Sequence, residues 1–170
     1  MKKSLSLLVF IAIFTTVFAV NGCSNKDNPV TPTGPENNSI SGEIIFVDTN
    51  FITTGGKYDI GAFPNPSVPP TFWFGPPSAF DTLTIIKEAG VFKAKYKLRG
   101  VQNGNYVIAV GFRKDTGGQS PIMGVLGCDT ARARFGSTCF LNPTRVLIDN
   151  NVGVEGINFL SWADTTNKVY

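Results

Sequence analysis

Histidine is absent from this chain, and its absence excludes several kinds of chemistry. The 170 residues include no His and only 3 Cys. Without an imidazole there is no Ser-His-Asp or Cys-His catalytic arrangement and no His-ligated zinc, and the side chain best suited to proton transfer near neutral pH is missing. We therefore predict no catalytic residues, no metal site and no cofactor.

The acidic residues do not supply an obvious substitute for histidine. The 12 carboxylates are scattered without a motif that would pair two of them, and no glycine-rich phosphate-binding loop follows a suitable strand. A hydrolase that uses carboxylates alone stays open as the second alternative function. Charged residues make up 16% of the chain and its formal net charge is only +3, so we expect no nucleic-acid partner.

The N-terminal residues have the organisation of an export signal. Lys2 and Lys3 form a positive start, residues 5–20 carry no charge, and Val20-Asn21-Gly22-Cys23 follows. The uncharged run is shorter than the roughly 20 residues that span a bilayer comfortably. Its end resembles the lipobox of exported bacterial lipoproteins. The resemblance implies removal of residues 1–22, acylation of Cys23 by palmitate-type chains, and a cell-envelope location in which the lipid binds the membrane.

Two further points concern export. Ser24 after the cysteine resembles lipoproteins sent to an outer membrane, whereas cleavage after Ala19 would give a secreted protein without lipid. If Cys23 carries lipid, Cys128 and Cys139 remain as an even pair, and disulfides persist in exported proteins. We predict a disulfide between Cys128 and Cys139, with two unpaired thiols as the alternative.

Composition divides the remaining chain into three parts. Residues 23–39 are polar and rich in Pro and Asn, which predicts a flexible tether. Residues 40–164 consist of short alternating apolar runs separated by Gly, Pro, Asn and Asp, and residues 165–170 form a short tail. This pattern predicts one all-β domain, a single antiparallel β-sandwich of seven to eight strands. The candidate strands are 40–47, 58–63, 81–86, 91–98, 106–112, 122–127, 144–148 and 154–160.

The strands over 91–98 and 106–112 alternate most clearly. Phe92, Ala94, Tyr96 and Leu98 alternate with basic residues, so period two places the apolar side chains on one face and a solvated basic row on the other. That row comprises Lys93, Lys95, Lys97 and Arg99. A glycine-containing turn follows, and we interpret the two strands as an antiparallel hairpin.

A family resemblance rests on these strands. Glu88-Ala89-Gly90-Val91-Phe92, followed by Tyr96-Lys97-Leu98 and by Gly104-Asn105-Tyr106-Val107-Ile108, resembles the transthyretin-like and carboxypeptidase-regulatory-like β-sandwiches, a carbohydrate-binding-like fold. The resemblance implies a fold rather than an activity. Starch-binding-like members of this group make a carbohydrate-binding module the alternative function.

One proline-rich loop is the candidate ligand site. Residues 64–77 hold six prolines around Phe72, Trp73 and Phe74, and a stiff backbone lowers the entropy cost of presenting rings to a ligand. Trp162 is the other possible aromatic platform. The competing interpretation, which we favour, is that the loop caps the sandwich, because most large aromatic residues are buried.

Together these observations predict a non-enzymatic lipoprotein of the cell envelope that acts as a binding or structural module. The expected partners are the membrane, through the lipid on Cys23, and a cell-surface glycan or protein. Exposure of the Phe72-Trp73-Phe74 loop distinguishes a carbohydrate-binding module from a capped sandwich.

Overall fold

The computed structural model describes residues 34–66, 73, 75–128 and 143–166. Within these ranges all regular structure is β-strand, and none of it is a helix that could span a membrane. The nine strands of these ranges are β1 (Ser39–Phe46), β2 (Gly56–Pro64), β3 (Ala79–Thr82), β4 (Ile86–Glu88), β5 (Val91–Arg99), β6 (Gly104–Lys114), β7 (Ile122–Val125), β8 (Arg145–Ile148) and β9 (Phe159–Ser161).

The strands form two sheets, which confirms the predicted all-β sandwich. Sheet I has the order β4-β5-β1-β9, and sheet II has the order β3-β2-β6-β7, with β8 also paired to β6. All pairs between these strands are antiparallel except β1 with β9, which run parallel. The count of nine exceeds the predicted seven to eight because the stretch predicted as one strand over 81–86 is divided into β3 and β4.

The predicted hairpin between β5 and β6 is wrong. β5 pairs with β4 and β1 in sheet I, whereas β6 pairs with β2, β7 and β8 in sheet II. Residues 100–103 therefore cross from one sheet to the other, with the Val101 side chain buried and its N–H donated to the Asn38 carbonyl at 2.9 Å. Two strands with one apolar face each can pair side by side or face one another across a core, and their sequences are alike in both cases.

The main core lies between the two sheets and follows the alternation of the strands. Sheet I contributes Ile40, Ile44 and Phe46 from β1 and Ala94, Tyr96 and Leu98 from β5. Sheet II contributes Tyr58, Ile60 and Ala62 from β2 and Tyr106, Ile108, Val110 and Phe112 from β6. Residues Lys93, Lys95, Lys97 and Arg99 lie on the opposite face of β5, so the predicted division of this strand into an apolar face and a basic face is observed.

Three core tyrosines donate hydrogen bonds from their hydroxyl groups to backbone carbonyls, two of them to segments distant in the sequence. Tyr58 donates to the Ala163 carbonyl, Tyr96 to Ile157 O at 2.8 Å, and Tyr106 to the Gln102 carbonyl at 2.9 Å. Burial raises the pKa of Tyr58 and of Tyr96 above the ordinary value of 10.0. Both hydroxyls therefore stay protonated and act as donors, which lets the core bury a polar group at little cost.

The end of the predicted tether contacts the sandwich. Asn38 donates its N–H to Asn151 O at 2.9 Å, and the Ser39 hydroxyl donates to Glu36 O at 2.6 Å. The Glu36 carboxylate pairs with Lys97 and Arg99 on β5. Residues 36–38 are thus held against β5 and the 149–153 turn. The predicted signal over residues 1–22 and the predicted acylation site, Cys23, lie outside the described residues.

Candidate functional site

A second, smaller apolar cluster covers part of the outer face of sheet II. Val107 and Ala109 of β6 and Val125 of β7 are buried there beneath Trp73, with Cys128 beside them. The Trp73 ring is only 4% exposed and meets the Phe63 ring edge to face, with ring centroids 5.5 Å apart. Trp73 therefore covers the sheet, as a cap would, and does not stand free in solvent as a ligand platform. Its neighbours Phe72 and Phe74 lie outside the described residues.

Next to this cluster the outer face of sheet II forms an open trough of about 580 Å³. Its floor consists of Gly61 on β2 and of Ala109 and Gly111 on β6, which lie in register on neighbouring strands. An added Cβ on Gly111 would meet its nearest atom, the Pro121 carbonyl oxygen, at 3.4 Å, which is an ordinary contact distance. The depth of the trough thus comes from small residues: a side chain would fit at Gly111, whereas a Cβ on Gly61 would lie 3.0 Å from Phe63 and Pro77.

The trough has an aromatic wall and a polar wall. Pro77 and Phe80 form the wall on the β3 side, and Phe80 is 62% exposed although it is a large apolar residue. Gln119 and Ser120 form the opposite wall, on the segment that leads into β7. The pairing of β6 with β7 shifts register between Val110 and Gly111, and such irregularities bend a strand and redirect side chains beside binding sites.

A hydrogen-bonded ion pair lies at one end of the trough. The Asp59 carboxylate accepts a hydrogen bond from Arg113 Nε on one oxygen and from Thr82 Oγ1, at 2.7 Å, on the other. The hydrogen bond to Asp59 and the charge of that carboxylate raise the pKa of the Arg113 guanidinium. Asp59 is thereby fixed as an acceptor with both oxygens engaged, while the Arg113 side chain is 49% exposed.

The outer face of sheet I is occupied by ion pairs. Lys93 pairs with Glu88 and Glu43, and Glu36 pairs with the basic residues at the other end of β5. Hydrogen bonds from Lys93 and Lys97 respectively lower the pKa of Glu88 and of Glu36. A carboxyl group that acts as a general acid near neutral pH needs a shift in the opposite direction. This face has the composition of a solvated surface.

The other predicted site residues are spread over the molecule. Trp162 is half-buried, donates its backbone N–H to Met123 O at 3.1 Å, and does not line the trough. Cys128 is buried in the smaller cluster, but Cys139 lies outside the described residues, so the disulfide stays a prediction. Across 34–66, 73, 75–128 and 143–166, no three His, Cys, Asp or Glu side chains come together at a metal-binding distance.

The sequence analysis missed most of the residues that form the trough. Gly61, Phe80, Gly111 and Arg113 were not singled out, because each is unremarkable in its own strand. One sequence signal was available: in β6 the residues facing away from the core are Val107, Ala109, Gly111 and Arg113, and they change from apolar to small to charged. This change in side-chain character along β6 indicates the point at which the outer face of sheet II stops being covered.

Comparison of the chain with protein-family models, with curated proteins and with solved structures finds no match. The assignment to the transthyretin-like group, and the lipobox itself, therefore stay predictions from the residues. We therefore base the functional proposal on the geometry of the trough.

Proposed function

We propose that this chain is a non-enzymatic lipoprotein of the bacterial cell envelope whose β-sandwich binds a small ligand in the trough of sheet II. The observation that carries the proposal is the trough itself: a glycine floor beside an exposed Phe80. Its volume of about 580 Å³ lies within the range of small-molecule sites, which are mostly apolar with a few polar groups.

The structure of the sheet also supports a binding role. The same outer face that Trp73 covers at one end is left open by the described residues over Gly61 and Gly111 at the other. A side chain at position 111 would cover that end, since Gly111 has no positive φ and its Cβ would make only ordinary contacts, whereas a Cβ on Gly61 would lie 3.0 Å from Phe63 and Pro77. Exposing an apolar surface to water costs free energy in the unbound domain. A ligand that covers this surface recovers that free energy.

Lipid anchoring is tested at Cys23. We expect the parent protein, expressed in a Gram-negative host, to incorporate a fatty-acid probe, and the Cys23→Ala variant to incorporate none because no acyl acceptor remains. The variant should enter the soluble envelope fraction after cleavage at the alternative site following Ala19. Cys139→Ala, which also removes one thiol, should keep the label. Equal labelling of Cys23→Ala and the parent would exclude the anchor.

Ligand binding is tested through Trp73, which lines the trough and therefore reports its occupancy. In a Trp162→Phe background, binding should shift Trp73 emission. Gly111→Val should abolish the shift, because its side chain fills the floor while its Cβ makes only ordinary contacts. Leu147→Ala removes an exposed apolar side chain that does not line the trough, and it should leave binding unchanged. Equal binding by Gly111→Val and the parent would place the site elsewhere.

A carbohydrate-binding module is the second candidate, and the exposed Phe80 ring favours it. Sugar rings pack their C–H faces on aromatic rings and use hydroxyls for hydrogen bonds, and Gln119 and Ser120 lie across the trough from Phe80. The platform in this case is Phe80 rather than the Phe72-Trp73-Phe74 loop. A panel of cell-surface glycans in the Trp73 assay tests this candidate, and Phe80→Ala should weaken any glycan that binds.

A further inference from the structure

The charged end of the trough offers hydrogen-bond donors on Arg113, while its carboxylate is already occupied. Both oxygens of Asp59 already accept hydrogen bonds, one from Thr82 and one from Arg113. Arg113 uses Nε for that bond, and its Nη1–Nη2 edge makes no hydrogen bond or ion pair with the described residues. This edge is the planar fork that matches a carboxylate with two parallel hydrogen bonds.

The opposite end of the trough is apolar. Its lining there consists of Phe63, Trp73 and Ile122 above the Gly61 and Ala109 floor. A ligand that fits both ends has an apolar body, which displaces water from the floor, and an acceptor group that reaches Arg113. Neither a purely apolar molecule nor a fully polar one uses both ends.

We propose that the trough binds an amphiphilic carboxylate, with its chain or ring over Gly61 and Gly111 and its carboxylate on the free edge of Arg113. This inference rests on the proposed binding function and specifies its ligand class. Two sources share this chemistry: a small aliphatic or aromatic acid, and the C-terminus of a peptide that ends in an apolar residue.

The charged groups around Arg113 leave the fork of the guanidinium as the recognition element at the charged end. Lys57 lies directly opposite Arg113 in the β2–β6 register and on the same face of the sheet. Asp115 lies close enough to Arg113 to act on it electrostatically, and Lys114 separates the two in sequence. The described charges near Arg113 on this face are thus one further cation, Lys57, and two carboxylates, Asp59 and Asp115. Arg113 lines the trough, and its bond to Asp59 through Nε holds the guanidinium there, so its remaining donors supply the directional part of the recognition.

The ligand class is tested with three probes of one shape and different charge: phenylpropionate, phenylpropanol and phenylpropylammonium. Affinities are measured by calorimetry on the purified full chain. A charge-assisted hydrogen bond to Arg113 should make phenylpropionate bind about tenfold more tightly than phenylpropanol, and the ammonium probe should bind more weakly than either. N-acetyl-Leu-Phe and its C-terminal amide form the second arm, and the arm with the larger carboxylate preference identifies the source.

Arg113→Gln should remove the preference for carboxylates, and Arg113→Lys should restore part of it because the charge returns without the fork. Arg99→Gln is the matched control: Arg99 is also an exposed arginine paired with a carboxylate, Glu36, but on sheet I. This variant should keep the parent's preference.

Two results would overturn the inference in distinguishable ways. Equal affinity of carboxylate and neutral probes in both arms, with binding still lost in Gly111→Val, would leave the trough as a binding site but reject the carboxylate. Binding that is unaffected by both Gly111→Val and Arg113→Gln would reject the trough itself, and with it the proposed function.

Discussion

Replacing Gly42 with Ala should destabilise the sandwich by about 3 to 5 kcal/mol in equilibrium urea unfolding. Gly42 lies on β1 opposite Tyr96, and the Ile157 peptide fills the space where its side chain would be. That peptide is held by two hydrogen bonds: Ile157 N–H to Ser41 O at 3.0 Å and the Tyr96 hydroxyl to Ile157 O at 2.8 Å. A Cβ on Gly42 would lie 2.0 Å from Ile157 O, so both hydrogen bonds must be disrupted to admit it.

Gly111→Ala provides the matched control for this prediction. It makes the same chemical change in another strand, at a glycine that also lacks a positive φ, and its added Cβ meets nothing closer than 3.4 Å. We expect this variant to unfold within about 0.5 kcal/mol of the parent, as most surface changes do. If Gly42→Ala were equally harmless, the 154–158 segment would not pack against β1 as described.

The fold class could be predicted because it depends on a local property. In β5, the apolar residues Phe92, Ala94, Tyr96 and Leu98 alternate with basic ones, and a period of two places them on one face whatever the strand pairs with. The same reasoning correctly located the centres of β1, β2 and β6. Glycine, proline and asparagine between these strands marked the turns for an equally local reason.

Strand partners could not be predicted, because pairing depends on contacts between distant residues. The link over residues 100–103 is short enough for a hairpin, yet Val101 is buried and its N–H donates to the Asn38 carbonyl, which extends the pairing of β5 with β1. The parallel pairing of β1 with β9 joins residues from the two ends of the domain. Nothing in the alternation of either strand distinguishes a neighbour in one sheet from a partner across the core.

The candidate site was the hardest part to predict because its defining residues are small. The prediction centred on Phe72, Trp73 and Phe74, since large aromatic residues are visible in a sequence. The structure buries Trp73 and exposes Phe80 instead. A trough forms where side chains are missing. Gly61 and Gly111 can be recognised as its floor only once β2 and β6 are known to be neighbours.

Replacing Tyr106 with Ala should cost about 3 to 5 kcal/mol of unfolding free energy, as other large aromatic truncations in cores do. Tyr106 is buried in the main core, and its β6 position pairs with Pro64 on one side and Val146 on the other. Truncation leaves a cavity between these strands. It also removes the hydroxyl that donates to the Gln102 carbonyl, so the crossover from β5 to β6 loses one hydrogen bond.

Two variants separate these contributions. Tyr106→Phe keeps the ring and loses only the hydrogen bond, so we expect a cost of about 1 kcal/mol. Phe80→Ala truncates an aromatic ring of the same sheet, and this ring is already in solvent. The variant should change the stability by no more than about 0.5 kcal/mol.

If Tyr106→Ala unfolded within 1 kcal/mol of the parent, the ring would not be filling the core and the register of β6 would have to be shifted by one residue. Such a shift would turn Val107, Ala109 and Gly111 inward and remove the floor of the trough, so this measurement on the core also tests the proposed binding site.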